Sequence, residues 1–170
     1  FIIAALEKTT EFLIKYAKTY KSTGAIGILM AEPLAGLLSP ELEREFSAPY
    51  VKKIIEAVSD SSFCVFYHNC GQNTPYMTES LSTNGAVAYH FGDAINLEDI
   101  LSKMPPDKLV LGNISPTEQF LSGTPESIYK ATTELLERCS KYPNFVLSSG
   151  CDIPPRFPWE NIEAFFSAAR

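Results

Sequence analysis

The chain has 170 residues, 45% of them hydrophobic and 20% charged, with a formal net charge of −6, the composition of an ordinary folded domain with a sizeable core. The acidic balance argues against nucleic acid as a partner, because phosphate contacts need Lys/Arg patches. No apolar run approaches the ~20 residues that span a membrane, so no membrane role is expected. Phe1 to Leu6 is too short for a signal peptide and has no basic leader. With no secretory signal, Cys64, Cys70, Cys139 and Cys151 are expected to be reduced thiols of a cytoplasmic protein. The first residue is Phe, inside what already reads as a helix, so a piece of a longer chain is expected.

Ile2 to Tyr20 carries apolar residues at helical spacing (Ile3, Leu6, Leu13, Tyr16, Ala17) and predicts an amphipathic helix. Ala25 to Ala31 is a short apolar run that ends at Glu32-Pro33 and predicts a strand. Ser39-Pro40-Glu41 opens a helix to about Val58, with cap, proline and acid in their preferred places and Pro49 as a bend or break. Phe63 to Tyr67 is continuously apolar and aromatic, as a strand buried on both faces requires. Thr74-Pro75 opens a helix that Asn84-Gly85 stops, and Ala86 to Phe91 predicts a third strand ending at Gly92-Asp93. Asn96 caps a helix to about Lys103, and Lys108 to Gly112 is a strand ending at Asn113. Thr124-Pro125-Glu126 opens a helix to about Ser140, Asn144 to Ser148 is the fifth strand, and Trp159 to Ala169 a last helix.

One helix followed by five strand–helix pairs predicts an α/β protein with a parallel sheet and helices outside it. The strand ends select between the two such folds. Each ends in a polar or reactive residue: Glu32, His68 with Cys70, Asp93, Asn113 and Cys151. A (βα)8 TIM barrel gathers all its strand C-termini into one pocket, whereas an open sheet binds mainly at one switch point. Such barrels need about 250 residues, so residues 1–170 are expected to be the C-terminal part of a single barrel domain, its N-terminal half missing.

His68 and Cys70 carry the sharpest chemical signal. Residues i and i+2 of an extended chain project to the same side, so imidazole and thiol can address one ion. Cys151, at the end of another apolar run, is a third soft ligand. One His and two Cys leave a fourth position open, the zinc arrangement used for chemistry.

Ala31-Glu32-Pro33-Leu34-Ala35-Gly36-Leu37-Leu38-Ser39-Pro40 resembles the middle of the uroporphyrinogen decarboxylase superfamily, as do Phe46 to Tyr50, Val110 to Pro116 with Gly123 to Glu126, and Ser149 to Pro155. The similarity covers nearly the whole chain and corresponds to the C-terminal half of that family's barrel. One branch of the family decarboxylates uroporphyrinogen without metal or cofactor. The other holds cobamide-dependent methyltransferases with a His-x-Cys and a later Cys on zinc, a pattern that His68-Asn69-Cys70 and Cys151 match.

The resemblance implies a zinc-dependent methyltransferase. A thiol such as coenzyme M would take the fourth zinc position, lose its proton and accept a methyl group from methylcobalamin, a methylcobamide carried by a separate corrinoid protein. Glu32 is either the fourth ligand at rest or a structural acid. His90 is either a contact to substrate or corrinoid or a structural histidine, and Asp93 and Asn113 are pocket-lining candidates. Cys64 and Cys139 are expected to be packing thiols. The alternatives are a cofactor-free decarboxylase of porphyrin biosynthesis and a barrel that binds a corrinoid or tetrapyrrole without turnover.

Overall fold

The computed structural model describes residues 1–170. Its helices are α1 (Ile2–Ser22), α2 (Pro40–Phe46), α3 (Ala48–Val58), α4 (Thr78–Ser82), α5 (Leu97–Leu101), α6 (Pro125–Cys139) and α7 (Trp159–Ala168). Its strands are β1 (Gly27–Ala31), β2 (Cys64–Asn69), β3 (Ala88–Phe91), β4 (Leu109–Ile114) and β5 (Phe145–Ser149). The five strands form one sheet in the order β1-β2-β3-β4-β5. A doubly wound sheet reverses its strand order part-way, whereas a (βα)8 barrel pairs each strand with the next in sequence. The architecture is that of five consecutive βα units of such a barrel, with β1 and β5 as the edge strands.

Residues 1–89 form one compact unit. In it β1 pairs parallel with β2, with Gly27 opposite Cys64 and Ala31 opposite His68. Helix α1 packs on α3, which buries Val51, Ile54, Ile55 and Val58, while β2 and its approach bury Phe63, Val65 and Tyr67. Each large apolar side chain so buried contributes about 1.5–3 kcal/mol. The helix expected over Ser39 to Val58, with a bend or break at Pro49, is broken next to it into two helices, α2 and α3. Pro49 has no N–H to donate one turn back, and its ring would collide with that carbonyl, so it is tolerated only in the first turn of a new helix. The break leaves Ser47 at the junction, its side chain not used as a cap. The helix expected from Thr74 is a short 3-10 turn (Thr74–Tyr76) followed by α4.

Residues 90–170 form the second unit. Here β4 and β5 pair in parallel, Val110 opposite Phe145 and Ile114 opposite Ser149. Strand β4 runs past Gly112, which places Asn113 inside the strand and not beyond it. A π-helical turn, Pro116–Leu121, follows, too short to carry a periodic signal. Thr124 and Ser127 then form the reciprocal cap of α6, which packs on α7. The fully buried Asn161 of α7 donates from Nδ2 to the carbonyls of Gln119, Phe120 and Gly123 at 3.2, 3.0 and 2.9 Å. Those contacts tie α7 to the loop before α6. None of the four cysteines forms a disulfide, and Cys139 is buried and Cys64 half-buried, in keeping with packing roles.

Candidate metal centre

Strand β2 delivers two side chains of interest on one face and a buried polar cluster on the other. His68 is its second-last residue and Cys70 lies one step past its end. By the alternation of extended chain they share a face, and Tyr67 and Asn69 share the opposite one. Glu32, just past β1, sits at the position level with Asn69, because Ala31 is the register partner of His68. Its side chain accordingly joins the Tyr67/Asn69 face. Ser47 Oγ donates to Glu32 Oε1 at 2.7 Å and Tyr67 OH donates to Oε2 at 2.9 Å. The Glu32 backbone N–H donates to the His68 carbonyl at 2.9 Å.

Burial pushes the Glu32 carboxyl above the ordinary carboxylate range, the Ser47 and Tyr67 hydroxyls pull against this, and the Glu43 charge adds a smaller upward push. Burial, then the Glu32 charge, also hold the Tyr67 phenol above its usual range. Glu43, on α2 and 2% exposed, accepts from Ser80 Oγ and is likewise raised by burial. Glu43, Ser47 and Asn69 were not singled out from the sequence. Ser47 falls inside the helix expected over Ser39 to Val58, and nothing local says that its hydroxyl is taken by a strand-end carboxylate.

In the second unit, Cys151 follows β5 and is half-buried. Three contacts fix the backbone around it. Gly150 N–H donates to the Ile114 carbonyl at 2.8 Å, Ser149 Oγ donates to the Cys151 carbonyl at 2.8 Å, and His90 Nε2 lies 2.6 Å from the Ser149 carbonyl. A carbonyl is only an acceptor, so His90 carries its proton on Nε2 there. A Cβ on Gly150 would stand 2.7 Å from the backbone nitrogen of Asp93, so only glycine lets the β3 and β5 ends approach this closely. Asp93 is exposed and Asn113 half-buried. Both line a cavity of about 460 Å³ with Asn96, Glu118 and Arg138. Asn113 directs Nδ2 to the carbonyls of Gly92 and Ile95 at 2.9 and 2.8 Å, which holds the loop between β3 and α5.

His68, Cys70 and Cys151 form a possible metal-binding group: each offers one ligand atom, and these atoms all lie within 4.8 Å of one another. Tetrahedral zinc takes such nitrogen and sulfur ligands, with bonds of about 2.0–2.3 Å. Nitrogen and two sulfurs are also the donor set that zinc prefers over hard cations. Glu32, which the sequence left as either a fourth ligand or a structural acid, is not in this group; its two carboxylate oxygens accept from Ser47 and Tyr67.

The family model described as uroporphyrinogen decarboxylase (URO-D) matches residues 2–170. The chain belongs to that family. Among its curated relatives is a methylcobamide:CoM methyltransferase, MtbA, of Methanosarcina mazei, 25% identical over 169 residues that cover 98% of this chain and 48% of that protein. A uroporphyrinogen decarboxylase of Synechococcus is 28% identical over 169 residues, covering 97% of this chain and 46% of that one. A solved structure of a methyltransferase from Methanosarcina mazei superposes with a TM-score of 0.80 at 27% identity, covering 94% of this chain and 46% of that one. The chain thus spans about half the length of the relatives it matches. The relatives are enzymes of both branches of the family. No helix is long and apolar enough to cross a membrane.

Proposed function

We propose that this chain is the C-terminal part of a zinc-dependent, corrinoid-linked methyltransferase, acting in the cytoplasm, that moves a methyl group from a methylcobamide on a corrinoid protein to a small thiol. The grouping of His68, Cys70 and Cys151 carries this reading. Zinc held there would act as a Lewis acid that keeps a bound thiol ionised at neutral pH. The protein's part is to supply one neutral imidazole and two thiolates, which together offset the charge of the ion. Strand β2 presents His68 and Cys70 from one face, and the contacts around Ser149 and Gly150 hold the backbone at Cys151. The MtbA relative, named for the same transfer, supports the reading.

Cofactor-free decarboxylation of uroporphyrinogen is the second reading, favoured by the 28% identity to a named decarboxylase. It gives three soft ligands no task. The test is the full-length protein, reduced and loaded with zinc, incubated with methylcobalamin and coenzyme M. Demethylation of the corrinoid that is lost on zinc removal supports methyl transfer. No demethylation, together with loss of carboxyl groups from uroporphyrinogen regardless of zinc, would replace it with the decarboxylase.

A further inference from the structure

Asn69 stands between His68 and Cys70 and is 1% exposed. Its amide has two N–H donors, and both are engaged: one bonds the Glu32 carbonyl at 3.0 Å and the other the Tyr67 hydroxyl at 3.0 Å. Its Oδ1 accepts from Gly71 N–H at 2.9 Å. The Tyr67 hydroxyl in turn donates to Glu32 Oε2, so Asn69, Tyr67 and Glu32 close a ring of hydrogen bonds. The ring has one orientation. Flipping the amide would set Nδ2 against the Gly71 N–H and Oδ1 against the Glu32 carbonyl, two repulsions in a buried site. Meanwhile the Glu32 N–H holds the His68 carbonyl from the β1 side. The backbone is thereby fixed on both sides of the two ligands, from Tyr67 to Gly71.

We propose that Asn69 is a positioning residue for metal binding, setting the relative direction of the His68 ring and the Cys70 sulfur before an ion arrives. This rests on the zinc reading above. Two ligands separated by one residue have their relative direction set by that residue's backbone angles. Zinc–ligand distances hold to within about 0.2 Å, so a free hinge at this point would have to be ordered on every binding event. Asn69 is no ligand: alternation turns its amide away from the His68/Cys70 face.

The test is zinc affinity of the full-length, reduced protein by chelator competition, with the visible spectrum of the Co(II)-substituted form, in wild type, Asn69→Ala and Tyr67→Phe. Asn69→Ala is expected to bind zinc about 10–100-fold more weakly, the usual cost of losing a group that orients metal ligands. Tyr67→Phe keeps the amide's bonds to Glu32 and Gly71, so it folds even if Asn69→Ala does not, and is expected to lose about fivefold, one net hydrogen bond. Both should shift the Co(II) spectrum, which a purely structural role would leave alone. Wild-type zinc affinity and spectrum in the folded variants overturn the positioning role while the zinc reading stands. A wild-type protein that takes up no zinc overturns both.

Discussion

Gly71→Ala is the sharpest perturbation of the candidate metal centre that touches none of the proposed ligands. A Cβ on Gly71 stands 2.4 Å from both the carbonyl carbon and the Cα of Gly36, and 2.5 Å from its oxygen. An ordinary carbon–carbon contact is about 3.5 Å or more, so the two segments must part by about 1 Å. All three atoms are backbone, and no rotamer change absorbs the overlap. Cys70 is the adjacent residue and moves with it, by several times the roughly 0.2 Å that zinc–ligand distances tolerate. The Asn69–Gly71 hydrogen bond lies on the same path and stretches too. Zinc affinity, by chelator competition with metal analysis of the bound fraction, is expected to fall by about 100-fold or more, beyond the range of a single supporting contact. Gly24→Ala serves as the control for backbone strain without a clash near the ligands: its Cβ meets nothing within 4 Å, while its φ of +90° disfavours any side chain, so it should lose stability but keep wild-type zinc affinity. A folded Gly71→Ala protein with wild-type zinc affinity would refute the claim that the close approach of Gly36 and Gly71 places Cys70.

Asn161→Ala leaves one buried and two part-buried carbonyls without their shared donor and should cost about 2–4 kcal/mol, seen as a fall of roughly 5–10 °C in Tm. A shift under about 2 °C would show that water or neighbouring groups replace the amide. Glu43→Gln tests the buried carboxyl through pH. Burial raises its pKa in the folded state, so below the unfolded pKa the group costs nothing, and wild-type stability falls as pH rises through the folded value. The variant should therefore melt higher than wild type at pH 8, with the gain gone below about pH 4. A pH-independent offset would contradict this.

Much of the frame was legible because its signals are local. The Ser39-Pro40 start, the Thr124-Pro125 start and the apolar runs of the strands all stand where expected. The expectation that His68 and Cys70 can address one ion rests on the two-residue period of extended chain alone. Glu32 shows where local reading stops. Being at a strand end suggested the pocket, but which face it takes depends on the register of β1 against β2, and register is a property of two segments. With Ala31 opposite His68, the next residue falls on the Asn69 face, towards Ser47 and Tyr67. The roles of Asn69 and Asn161 were hidden for a similar reason. Each is a single amide whose partners include backbone carbonyls distant in sequence, and carbonyls carry no residue-specific signal. The π-helical turn at Pro116–Leu121 has no periodicity long enough to read.

The most direct test of the central claim is zinc per chain in the full-length protein, purified under reducing conditions, beside Cys151→Ser. One zinc per wild-type chain, sharply reduced in the variant, is the result predicted if His68, Cys70 and Cys151 share one ion. A wild-type chain that holds no zinc even after reconstitution, or a Cys151→Ser chain that holds it as tightly, would contradict the account.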